Sequence, residues 1–217
     1  MDWLRQRSLT LVMMALFAIC AVAQVLTGWH EYNASQADHG AAMVTLGGYF
    51  ATGHLWEALF ENWESEFLQM AAFVVLTTRL VQRGSPESRR PGVVEPFDAD
   101  PRRFREMPGA PWPVRKGGLW LRLYESSLGL AFVLLFLVSW IGHALGGFFE
   151  FRHDQLAHGG PSPDLLEYLS SPRFWFESFQ NWQSEFLAIA AMVWLSVYLR
   201  QRGSPESKPV HASHDES

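Results

Sequence analysis

Displaced by 119 residues, this sequence lies on itself. From Ser8 to Ser88 the match runs without a gap, and 33 of 81 positions are identical. Gly28 to Glu31 and Gln36 to Gly40 fall on Gly147 to Glu150 and Gln155 to Gly159. The block Asn62-Trp-Glu-Ser-Glu-Phe-Leu68 falls on Asn181-Trp-Gln-Ser-Glu-Phe-Leu187. Gln82-Arg-Gly-Ser-Pro-Glu-Ser88 recurs unchanged as Gln201 to Ser207. A repeat of this length sets the architecture before any local signal does.

Each copy opens on an apolar run, about residues 9–26 and 126–145, of the length and character of a membrane helix. The basic start and the Ala21-Val22-Ala23 segment imitate a cleaved leader. The equivalent run in the second copy lies mid-chain, however, so both are read as retained spans. The second span of each copy is less apolar. Crossing about 30 Å takes roughly 20 residues, which extends these spans to about residues 62–82 and 180–200. Gly84 and Gly203, each followed by Ser-Pro, are expected to stop them. The sequence thus predicts an all-α integral membrane bundle of four transmembrane helices, built as two tandem two-helix repeats in parallel orientation. A pseudo-two-fold axis is expected along the membrane normal. The repeats occupy residues 1–88 and 119–207. A Pro- and Arg-rich linker, 89–118, joins them, and 208–217 form a tail; linker and tail are expected to be partly disordered.

Charge sets the orientation. No Lys or Arg occurs from Ser8 to Thr78, where six acids lie, and ten basic residues fall between Arg79 and Arg122. Basic residues flank the cytoplasmic ends of spans, so the termini and the linker are placed inside and the two acidic segments outside. The linker suits contact with anionic lipid headgroups. Its interleaved acids and prolines argue against nucleic acid. The lipid bilayer is therefore the expected partner, and so thin a bundle is compatible with a homodimer.

A single cysteine, Cys20, excludes a disulfide framework and any Cys-x-x-Cys redox or zinc site. Two other groups carry chemical interest. Glu66 and Glu185 lie on the second spans, where carboxylates are costly. Asn62 and Ser65 share a helix face with Glu66, as Asn181 and Ser184 do with Glu185. Together they form either a polar pocket for a proton, cation or polar solute, or a hydrogen-bonded network that joins helices. Glu57, Glu61 and Glu64 are replaced in the second copy by Phe176, Gln180 and Gln183, and read as a solvated face. The second group is Glu31 and His39 with Glu150 and His158, in the outer loops. Two histidines and two carboxylates suit a divalent metal if the loops converge. His30, His54 and His153 have no counterpart in the other copy and read as surface residues. His143, opposite Gln24, gives no pair for haem. Trp56, Phe60, Trp63 and Phe67, with their equivalents, read as an interfacial aromatic belt. Gly146-Gly147 reads as a helix end or a close-packing site.

The blocks Gly28–Gly40, Glu61–Leu68 and Gly84–Ser88 resemble a family of bacterial membrane proteins known as a domain of unknown function with this duplicated plan. The resemblance implies residence in the bacterial inner membrane and supplies no activity, cofactor or catalytic residue. The leading expectation is binding or movement of a small polar solute, proton or cation at Glu66 and Glu185. The alternatives are a non-catalytic structural or stress-associated membrane protein and a metal-dependent activity at the outer loops.

Overall fold

The computed structural model describes residues 2–90 and 92–214. The protein is all-α, with no strand among the described residues. Its helices are α1 (Asp2–Gln6), α2 (Ser8–Asp38), α3 (Leu46–Tyr49), α4 (Gly53–Leu76), α5 (Trp112–Lys116), α6 (Gly118–Glu125), α7 (Ser127–Ala157), α8 (Leu165–Leu169) and α9 (Pro172–Tyr198). The starts of α2 and α7, α3 and α8, and α4 and α9 each lie 119 residues apart, and α2 and α7 both run for 31 residues.

Among the described residues, α2 and α7 are long and apolar enough to cross a membrane. None of the most apolar stretch of α2 is buried, and only 17% of that of α7. A soluble core helix would bury that surface. Both helices run about 12 residues past the apolar runs expected from the sequence, carrying their polar C-terminal turns to Asp38 and Ala157.

Helices α4 and α9 differ from the expected second spans. They begin eight or nine residues earlier, at Gly53 and Pro172, and α4 stops at Leu76, well short of residue 82. Two threonine hydroxyls lie at the stop. Thr77 donates to the Phe73 carbonyl at 2.8 Å and Thr78 to the Val75 carbonyl at 2.7 Å, competing with continued helix. The Arg89 guanidinium takes the freed Thr78 carbonyl at 2.8 Å. Gly84 and Gly203, both at φ 87°, therefore shape the turns that follow rather than the helix ends. In these turns the Ser88 and Ser207 hydroxyls accept from the Gln82 and Gln201 amides at 2.7 and 2.9 Å.

The linker carries two 3-10 turns, Pro96–Asp98 and Pro101–Phe104, besides α5. The tail is tied back as far as His214. Lys208 Nζ donates to the Ser213 and His214 carbonyls at 3.0 and 2.9 Å, and Arg200 donates to the Ala212 carbonyl at 3.3 Å.

The chain divides into two compact units. The first holds the residues up to Phe60 with Gly142–Phe174; the second holds Glu61–Ile141 and the chain from Trp175 on.

In the first unit, α4 and α7 touch backbone to backbone. A Cβ on Gly53 would lie 2.5 Å from the Glu150 amide nitrogen, and one on Gly146 would lie 2.5 Å from that of Glu57. Gly146-Gly147 is thus a close-packing site inside α7, not a helix end. Tyr49 and Tyr168, both almost fully buried, each press a hydroxyl against a glycine: Gly28 and Gly147, where a Cβ would lie 2.5 and 2.0 Å away. Only glycine leaves room there, which explains why Gly28 and Gly147 are the same residue in both copies.

In the second unit, side chains join α4 to α9. Asn181 Nδ2 donates to Glu61, Trp182 Nε1 to Glu64 at 3.0 Å, and Gln69 Nε2 to the Glu185 carbonyl at 3.0 Å.

Candidate metal centre

The glycine contact between α4 and α7 sets the geometry of a cavity in the first unit. With Gly53 against Glu150, the next residue, His54, is delivered to the polar end of α7. The cavity encloses about 360 Å3 and is lined from α2 by Glu31, Tyr32, Ser35, Gln36 and His39. His54 lines it from α4, and Glu150, His153, Asp154 and His158 line it from α7 and the turn after it. It lies beyond the apolar runs of both long helices. Tyr32 and Glu150 form a buried floor, while His39, His153 and His158 stand exposed at the mouth.

His39 and His158 approach each other edge to face, with ring centroids 5.8 Å apart. Each follows the last turn of its helix, and each Nδ1 donates to the carbonyl four residues earlier: Ser35 at 2.7 Å and Asp154 at 2.8 Å. An Nδ1–H held by a carbonyl leaves the Nε2 lone pair as the ligand atom, the tautomer that metal-binding histidines adopt.

Glu150, His153 and Asp154 form a second cluster on the same cavity, with one ligand atom from each within 4.8 Å of the others. Residues three and four apart share a helix face, so Glu150 brings His153 and Asp154 with it. Arg173 fixes Asp154 through Nη1 at 3.1 Å, and its Nη2 reaches Glu57 at 3.3 Å. Burial pushes the Glu150 carboxyl above its usual range, and the charge of Asp154 adds to this; His54 and His153 oppose it. Such a group gains from a cation placed beside it.

At the inner edge, His54 sits between two partners. Its Nε2 lies 3.1 Å from Glu31, and its Nδ1 lies 2.9 Å from the Tyr49 hydroxyl. With Nε2–H donated to the carboxylate, Nδ1 accepts from the phenol. Burial, then the charges of Glu31 and Glu150, raise the Tyr49 hydroxyl to about 12, so it stays a donor.

All four residues proposed from the sequence as metal ligands, Glu31, His39, Glu150 and His158, therefore line one cavity. His54, half-buried, departs from the surface reading and lines the cavity; His153 is exposed, as read, and lines it too. Neither has a counterpart in the other copy, since Arg173 and Ala34 stand there, so repetition gave no signal. The three-residue spacing of Glu150 and His153 on one helix was the signal available.

The second-span residues are arranged differently. Glu66, Asn62 and Ser184 are exposed, Glu185 and Asn181 are half-buried, and Ser65 is buried. Ser65 and Ser184 each donate to the carbonyl three residues back, Asn62 and Asn181, both at 2.8 Å. The solvated-face reading of Glu57, Glu61 and Glu64 is overturned. Glu64 is fully buried and Glu57 nearly so, and Glu61 accepts from Asn181. These acids bond to Arg173, Asn181 and Trp182 respectively.

Fold and site together define an all-α protein with two helices of membrane-crossing length and a histidine–carboxylate cavity at their polar ends. The chain belongs to the family described as domain of unknown function DUF6766, whose model matches residues 1–217. Comparison with curated proteins and with solved structures finds no match.

Proposed function

We propose that this protein is a membrane protein that binds a divalent transition-metal ion in the cavity lined by His39, His158, Glu150, His153 and Asp154. One observation carries the reading: His39 and His158 converge with both Nδ1 atoms held by backbone carbonyls, so both Nε2 atoms are free to coordinate. Imidazole and carboxylate together suit zinc, manganese or iron(II) rather than the soft ions that thiolates select. Glu150, His153 and Asp154 supply one nitrogen and two carboxylates on the same cavity.

The membrane frame of this reading is two tandem two-helix repeats crossing four times in a bacterial inner membrane. The element starts recurring at 119 residues support it, as does the gathering of Lys and Arg at the termini and linker. With those segments cytoplasmic, the cavity opens on the outer side.

Calorimetric titration of chelator-stripped, detergent-purified protein with zinc tests the proposal. Saturable binding that is lost on Glu150→Gln with His153→Gln is the expected result. No saturable heat, or binding that the double substitution leaves unchanged, rules the site out.

A second reading concerns the acids of α4. The bonds from Asn181 to Glu61, Trp182 to Glu64 and Gln69 to the Glu185 carbonyl favour a structural role that joins α4 to α9 over movement of a proton or solute past Glu66 and Glu185. Loss of thermal stability in Glu64→Gln without change in zinc affinity is the expected signature.

A further inference from the structure

The segment before α7 has a face that nothing described in the protein covers. Helix α6 turns Leu121 and α5 turns Val114 inward, where both are buried. The opposite side exposes Trp112, Leu119, Trp120, Leu123 and Tyr124, each by 45% or more. Trp112 and Trp120 meet edge to face, ring centroids 5.3 Å apart, which makes the exposed surface continuous across the two helices.

Cations frame this face. Between Arg102 and Arg122 there are six basic residues and one acid, Glu106. Arg115, Lys116 and Arg122 are exposed beside the aromatics. The bend between the helices is built in. Gly117 takes φ 71°, and Arg105 Nη2 donates to the Arg115 and Lys116 carbonyls at 3.2 and 3.3 Å, closing the end of α5.

Placement supplies the occupant. Only Ser126 separates the end of α6 from the start of α7, so the exposed face begins where the apolar helix begins. Trp, Leu and Tyr on one side with Arg and Lys along the edge is the composition of a helix lying in a bilayer interface, and basic residues there are drawn to anionic headgroups. We infer that α5 and α6 lie on the bilayer surface as an in-plane anchor that prefers anionic lipid, with Trp112, Leu119, Trp120, Leu123 and Tyr124 inserted and Arg115, Lys116 and Arg122 at the headgroups. The inference rests on the membrane reading and is independent of the metal site.

Spin labels on the full chain test it. In a Cys20→Ser background, Leu119→Cys and, as a control on α7, Leu134→Cys carry nitroxides in nanodiscs of phosphatidylcholine with or without phosphatidylglycerol. Accessibility to oxygen and to a water-soluble nickel chelate reads depth. Both labels should be open to oxygen and shielded from the chelate in anionic discs. Label 119 should become more chelate-accessible in neutral discs, and Arg115→Gln, Lys116→Gln and Arg122→Gln together should remove that lipid dependence. A water-exposed label 119 beside a lipid-immersed label 134 overturns the anchor and leaves the membrane reading standing. Low accessibility of label 119 to both oxygen and the chelate in both discs means that protein covers the face, which also overturns the anchor. A water-exposed label 134 overturns the membrane reading with it.

Discussion

His39 and His158 stand edge to face with ring centroids 5.8 Å apart, each fixed through Nδ1 by the carbonyl four residues before it. The arrangement brings two histidines 119 residues apart in sequence to one cavity. His39→Phe and His158→Phe should each fold and each weaken zinc binding. Loss of an orienting partner alone costs about 10–100-fold in metal affinity, and loss of a ligand should cost at least as much. Calorimetric titration of the two variants against the parent checks this.

Gly146→Ala tests the backbone contact that delivers His54 to Glu150. The added Cβ would lie 2.5 Å from the Glu57 amide nitrogen, and backbone yields less readily than a side-chain tip. Overpacking of this kind costs about 1–3 kcal/mol. The melting temperature in detergent should fall, and zinc affinity should fall with it. Gly159→Ala, whose Cβ meets nothing within 4 Å, is the comparison for a glycine held only by its φ of 72°.

Arg173 bridges Glu57 and Asp154, and removing either end is not equivalent. Arg173→Met takes a charged partner from Glu57, which has only 10% of its side chain exposed. A buried polar group deprived of a partner costs about 1–3 kcal/mol. Glu57→Gln leaves Arg173 paired with Asp154 and should cost less. Thermal unfolding of the two variants should rank them in that order.

Glu87 and Glu206 occupy the same place in the two identical turns. Burial first, then the shared hydrogen bond and charge of Glu206, raise the Glu87 carboxyl from 4.5 to about 7. Because the folded protein holds this proton more tightly than the unfolded chain, the contribution is full below 4.5 and is lost as pH rises through about 7. Melting temperature should therefore decline across that window, and Glu87→Gln should flatten the decline. A parent profile that rises there contradicts the assignment.

The two apolar helices were legible in the sequence from their hydropathy, and four cavity residues because Glu31 and His39 recur 119 residues on as Glu150 and His158. Tyr49 and Tyr168 are also kept, and their partners Gly28 and Gly147 lay in a block the alignment displayed, but a glycine gives no sign of which side chain fills its space. His54 escaped notice because Arg173 stands at its repeat position. Both donate to acids, Glu31 for one and Glu57 and Asp154 for the other, so the role recurs while the residue changes. The early end of α4 was hidden for another reason. Apolar content extends to Val81, and the helix ends before it, where Thr77 and Thr78 bond the preceding turn.

X-ray absorption at the zinc edge, on protein loaded with one equivalent of zinc, tests the central claim most directly. The account predicts a coordination shell of nitrogen and oxygen with the outer scattering of imidazole, weakened in His153→Gln and in His158→Phe. A spectrum of hydrated zinc alone, or imidazole scattering unchanged in both variants, would contradict it.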